Sequence, residues 1–149
     1  MVQRFTQNPI IHTRDIAPSH SDWIVECVLN PGVFTFENKT WLLLRVAERP
    51  IQSEGMVSFP VMKDDGSYEI LEFDRNDKDL DLSDVRMVGY KDKIYLSTLS
   101  HLRLVCSDDG IHFYEPKDRK SKIFGEGSLE TFGIEDCRVT QIGNRYYLT

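Results

Sequence analysis

Two adjacent carboxylates, Glu135 and Asp136, stand in the segment Phe132-Gly133-Ile134-Glu135-Asp136-Cys137-Arg138. Apolar neighbours that bury a carboxyl raise its pKa, as a general acid at neutral pH requires, whereas an arginine on the same face lowers it. Both influences are present here, and the sequence does not settle which prevails. In an extended chain adjacent side chains point to opposite faces, so one carboxylate is free for chemistry while the other is structural, and Arg138 shares the face of Asp136. Asp136 is therefore the candidate proton donor. Arg45 and Arg49, in Leu42-Leu-Leu-Arg-Val-Ala-Glu-Arg49, supply rigid donor forks suited to a hydroxyl or an anion. For Arg49 the alternative is a surface salt link with Glu48 or another nearby acid.

The elements that must position these groups follow from an internal repeat, which is sought first because a missed period misassigns the whole fold. Leu82 to Ser97 aligns without gaps on Ile134 to Thr149, 52 positions later, so that Asp84 falls on Asp136, Arg86 on Arg138 and Tyr95 on Tyr147. A weaker copy begins at Asn30, where Asn30 matches Asp84 and Trp41 matches Tyr95. Each copy reads as an apolar strand, a tight polar turn (Glu37-Asn38-Lys39, Lys91-Asp92-Lys93, Gly143-Asn144-Arg145) and an aromatic-rich strand, which predicts a β-hairpin. Further short strands are predicted at 55–62, 68–73 and 102–106, closed by turns such as Asp64-Asp65-Gly66 and Asp108-Asp109-Gly110. A sustained helical period is absent from the sequence.

Short strands in a unit of this length are the pattern of β-propeller blades, four-stranded sheets packed around a central channel. The fold expected is all-β, with residues 1–149 as part of a single propeller domain whose repeat copies start near 30, 84 and 136. Closure takes about four to eight blades, so this chain is expected to supply roughly the first half, with apolar residues near Tyr146, Tyr147 and Leu148 left exposed. Asn30, Asp84 and Asp136 should then stand at equivalent places on successive inner strands and turn towards one funnel, with Arg138 beside them. Such a ring of donors and acceptors suits a sugar. The alternative for Asp84 is a turn-capping role.

Composition narrows the partners. The formal charge of -6 disfavours a phosphate backbone, so nucleic acid is not expected. Apolar runs such as Trp41 to Leu44 are far too short to cross a bilayer as a helix, and no secretory h-region follows Met1. Cys27, Cys106 and Cys137 are odd in number and lack CxxC spacing, which predicts free thiols in a cytoplasmic protein rather than a disulfide framework or a zinc site. The four histidines share no metal-ligand spacing, and the acidic run from Asp74 to Asp84 lacks the glycine and terminal glutamate of a calcium loop. No metal or organic cofactor is expected.

The segments Asn8-Pro-Ile-Ile11, Leu29-Asn-Pro-Gly-Val33, Leu42 to Arg49, Ser107-Asp-Asp-Gly-Ile-His-Phe113 and, most specifically, Gly133-Ile-Glu-Asp-Cys-Arg-Val139 together resemble glycoside hydrolase family 130. That resemblance implies a five-bladed β-propeller and an inverting β-mannoside phosphorylase, with inorganic phosphate as co-substrate. A β-mannoside hydrolase is the alternative, and a non-catalytic carbohydrate-binding propeller a second one; self-association into a homo-oligomer is compatible with any of them. Carried over by motif, Asp136 corresponds to the family's proton donor, and Asn30 and Arg45 to contacts with the mannosyl unit at the cleaved bond. Arg49, Asp84 and Arg138 are the remaining substrate-binding candidates. Two positions depart from the family pattern: Cys137 stands where proline is usual, and Ala47-Glu48-Arg49 where Glu-Asp-Arg often ends the arginine segment.

Overall fold

In a computed structural model, which describes residues 4–149, the regular secondary structure is almost wholly strand. In chain order these are β1 (Trp23–Phe36), β2 (Lys39–Pro50), β3 (Met56–Met62), β4 (Tyr68–Asp74), β5 (Leu80–Asp81), β6 (Met87–Tyr90), β7 (Lys93–Leu96), β8 (Leu99–Ser107), β9 (Lys122–Ile123), β10 (Val139–Ile142) and β11 (Arg145–Leu148), preceded by one 3-10 turn at Thr13–Asp15. All three copies of the repeat form hairpins, β1/β2, β6/β7 and β10/β11. Their turns use the residues the sequence offers. Glu37 and Asn38 both take positive φ, 50° and 58°, which matches the twist of the flanking strands as a type I′ turn does. Gly143 takes φ 62° at the corresponding turn of the third copy.

The segments between the copies are also strands: β3 and β4 pair around the turn at Gly66, and β8 covers 102–106. Their arrangement differs from a simple succession of blades. Among the described residues the one four-stranded sheet has the order β1-β2-β8-β9, so its third strand follows the second repeat copy in the chain instead of the first. β8 runs on almost directly from β7 and registers against β2 from Thr40↔Ser107 to Glu48↔Leu99. The remaining sheets are β3-β4, β5-β6-β7 and β10-β11. The whole is an all-β, propeller-like packing of small sheets.

The four-stranded sheet is covered on both faces, which is why β2 and β8 are buried along most of their length. One face carries Leu42, Leu44, Val46 and Val105, packed beneath Ile11, Ile16 and Phe113. The opposite face carries Leu43, Leu102 and Leu104, packed against Ile134, Cys137 and Val139 of the third repeat copy. A third cluster, Val57, Phe59 and Val88 with Leu71, Phe73 and Tyr95, joins the β3-β4 hairpin to the second copy. Tyr146 packs against Phe34 and Phe36 and donates to the Thr35 carbonyl at 2.6 Å, so it is only half exposed. Tyr147 and Leu148 stand exposed, as does Ile142.

The first face also holds a buried polar cluster. Arg103 and Glu48 are both fully buried and lie 3.4 Å apart, and Arg103 reaches Glu115 at 2.6 Å and the Ala17 carbonyl at 3.0 Å. The Ser19 amide donates to both Glu48 oxygens at 3.0 and 3.2 Å. This cluster pins the chain around residues 17–19 onto β2 and β8. It also settles that Glu48 faces inward, away from Arg49.

Candidate active site

Asn30 owes its position to a bulge in β1. Register against β2 shifts between Leu29 and Gly32, leaving Asn30 and Pro31 out of the ladder. Asn30 takes φ 20°, a conformation that asparagine tolerates better than most residues, and a bulge of this kind re-aims a side chain. Gly32 makes the approach of the neighbouring hairpin possible, because an added Cβ there would lie 2.9 Å from the Cys137 carbonyl oxygen. Arg45 lies opposite Leu29 on β2 and so projects beside the bulge.

Asp136 arrives from the third repeat copy. Its φ is 50°, so the chain at this point is not extended, and β10 begins only at Val139. The expectation that Glu135 and Asp136 point to opposite faces is therefore corrected: the left-handed turn brings both carboxylates to one guanidinium. Arg45 Nη2 pairs with Glu135 and Arg45 Nη1 lies 3.2 Å from Asp136 Oδ1. Asn30 Nδ2 donates to the same Asp136 oxygen at 3.0 Å. Three sequence candidates thus meet at one point, with the Asp136 side chain 48% exposed and open to a ligand.

This geometry decides the electrostatic question left open by the sequence. The hydrogen bond from Asn30, and after it that from Arg45, hold the Asp136 carboxyl below its ordinary range against the opposing effect of desolvation. Asp136 is a carboxylate in the free site. The apolar flank does not prevail, because Ile134 and Cys137 turn into the cluster with Leu43 and Leu102 and leave the Asp136 side chain about half exposed.

The other candidates make separate contacts. Arg138 lies beside Asp136: its guanidinium donates to the carbonyls of Asp136 and Cys137, at 3.3 and 3.5 Å, and its charge adds to the lowering of the Asp136 pKa. Asp84 does not join Asn30 and Asp136 by any hydrogen bond among the described residues. It is held by Arg86, which donates from Nε at 3.1 Å and Nη2 at 2.8 Å and pulls its pKa down to about 2. Its carboxylate also accepts the Arg86 amide at 2.9 Å, which is the turn-capping role given above as the alternative. Asp84 and Arg86 line a cleft of about 480 Å³ together with Glu26, Arg49, Gln52 and Arg75. In that cleft Arg49 pairs with Glu26 at 2.8 Å. The salt-link alternative for Arg49 is thus the one observed, with Glu26 in place of the buried Glu48.

Two residues of the site carry no signal in the sequence. Ser100 accepts from Arg45 Nε at 3.2 Å, and Glu26 holds Arg49. Neither belongs to a motif or to the repeat; each is found only when β8 registers beside β2, or β1 beside its partner.

No family model matches the chain. It is, however, 37% identical to β-1,2-mannobiose phosphorylase of Listeria innocua over 153 aligned positions, which take in 99% of this chain. The resemblance to glycoside hydrolase family 130 holds over nearly the whole chain. A solved structure of the Listeria enzyme, in complex with β-1,2-mannobiose, superposes with a TM-score of 0.86 at 36% identity over 97% of this chain. The chain spans 42% of the length of this relative.

Proposed function

We propose that this chain is part of an inverting carbohydrate-active enzyme that cleaves β-mannosidic bonds by phosphorolysis, yielding mannose 1-phosphate and a shortened sugar. The observation that carries the proposal is the convergence of Asn30, Arg45 and Asp136 on one solvent-open point, in a chain closely similar to a β-1,2-mannobiose phosphorylase. Inorganic phosphate is the co-substrate and a β-1,2-linked mannoside the substrate class. The domain is a five-bladed propeller of which residues 1–149 form one part, and the three free cysteines support a cytoplasmic setting.

Asn30 and Arg45 hold hydroxyls of the mannosyl unit at the cleaved bond. Arg49 and Asp84, which line one cleft with Arg86, are further contacts to the sugar, and Arg138 adds positive charge beside Asp136. When a sugar fills the site, its hydroxyls compete for the Asn30 and Arg45 donors and water is displaced; both changes raise the carboxyl pKa. Asp136 then protonates and passes its proton to the glycosidic oxygen, directly or through a sugar hydroxyl. The C1–oxygen bond breaks as a phosphate oxygen bonds to C1 from the opposite face, which inverts the configuration. An anionic nucleophile needs no general base, and the second carboxylate at the site, Glu135, is engaged by Arg45. An inverting hydrolase instead needs a base about 6.5–9.5 Å from the acid to activate water.

Incubating the full-length protein with β-1,2-mannobiose, with and without inorganic phosphate, tests the proposal. Mannose 1-phosphate formed only with phosphate is the expected result; free mannose released at equal rates without it rejects phosphorolysis.

A further inference from the structure

Ser100 stands where the parts of the site meet. It is buried, 5% exposed, at the start of β8. Its hydroxyl accepts from Arg45 Nε at 3.2 Å. Its main chain forms a parallel bridge to Gly133, and its carbonyl accepts the Ile134 amide at 3.1 Å. Gly133 has φ +83°, and a Cβ there would collide with the Ser100 carbonyl oxygen. One residue thus touches the guanidinium through its side chain and, through its backbone, the segment that carries Glu135 and Asp136.

We infer that Ser100 is a positioning residue that fixes the rotation of the Arg45 guanidinium and registers it against Asp136. The inference rests on the reading of Arg45 and Asp136 as substrate-facing groups. A guanidinium is planar, so holding Nε fixes where both Nη atoms point. Here that plane directs Nη1 to Asp136 and Nη2 to Glu135. With the hydroxyl removed, Nε has no acceptor among these groups, and the fork is no longer held against Asp136.

The test compares Ser100→Cys, which keeps the volume but offers only a weak acceptor, with Ser100→Thr, which keeps the hydroxyl. Both are made in the full-length protein and assayed with β-1,2-mannobiose and inorganic phosphate. Ser100→Cys is expected to lower kcat about 10-fold or more, as misorientation at a reacting centre does, and Ser100→Thr to recover most of it. The loss should vanish in an Arg45→Lys background, because lysine has no Nε fork to orient. The limb of the pH profile that reports Asp136 should move to higher pH in Ser100→Cys, since the opposing charge is no longer held in place.

Wild-type kinetics in Ser100→Cys, or a loss that simply adds to that of Arg45→Lys, overturns the inference. Should the wild-type protein make no mannose 1-phosphate, phosphorolysis fails independently. Ser100 is then judged from the NMR titration of the Asp136 carboxyl: a higher pKa in Ser100→Cys supports positioning, and an unchanged one refutes it.

Discussion

Replacing Gly133 by alanine probes the register of the catalytic segment with a single methyl group. At φ +83° an L-residue pays about 1–2 kcal/mol for the left-handed backbone. The steric consequence is larger. The new Cβ would lie 3.1 Å from the Ser100 nitrogen and closer still to its carbonyl oxygen, where ordinary contact begins at 3.4 Å. The two main chains must part by about 1 Å, and a shift of that size at a reacting centre costs about 10²-fold in rate. Asp136 lies three residues on, so it moves relative to Arg45 and Asn30, which belong to the other wall. Gly110 provides the control: its φ is +77° and nothing lies within 4 Å of an added Cβ. Gly110→Ala therefore carries the same backbone cost without the displacement. Steady-state phosphorolysis by the full-length protein should fall about 10²-fold for Gly133→Ala and stay near wild type for Gly110→Ala. Equal activity of the two variants would falsify the claim that the Ser100–Gly133 contact places Asp136.

Other outcomes follow from the same structure. Arg103→Met strands the fully buried Glu48 and should destabilise by about 3–5 kcal/mol in urea unfolding, with Glu48→Gln added to it recovering most of the loss; a double variant no better than the single would contradict this. His101 is buried, and desolvation, with Arg103 beside it, depresses its pKa to about 3. The unfolded chain therefore binds the extra proton first, and stability should fall as pH drops from about 6.5 towards 3, by up to about 1.4 kcal/mol per unit. His101→Phe should flatten that slope, and melting curves at pH 7 and pH 5 would show it. Asn30→Ala removes the main donor that lowers the Asp136 pKa, so the carboxyl pKa should rise towards the ordinary carboxylate value in an NMR titration, and an unmoved pKa would discount the contact.

Local structure was legible in the sequence wherever it depended on neighbours in the chain. The hairpins at Glu37-Asn38, Lys91-Asp92 and Gly143-Asn144 follow from turn residues between alternating strands, and the repeat aligned them. The pairing of β8 with β2 was not legible, because nothing between Leu99 and Ser107 states which of several apolar strands it will meet. Asn30, Arg45 and Asp136 were found by type and motif, yet their contact depends on a bulge at Asn30-Pro31 and a left-handed turn at Asp136. The left-handed turn also explains the misplacement of Glu135. A strict two-residue period turned Glu135 away from Asp136, whereas both carboxylates meet Arg45. The chain at Asp136 leaves the extended conformation on which that inference relied, while Asp84 caps its own turn with Arg86.

The role of Asp136 as proton donor is tested most directly by changing how much proton the leaving group needs. Full-length Asp136→Asn and wild-type protein would be compared on β-1,2-mannobiose and on a nitrophenyl β-mannoside, whose leaving group departs without protonation. The account requires a loss of about 10²-fold or more in kcat on the disaccharide, in line with removal of a general acid, and a much smaller loss on the nitrophenyl substrate. Near-full turnover of the disaccharide by Asp136→Asn, or an equal loss on both substrates, would contradict it.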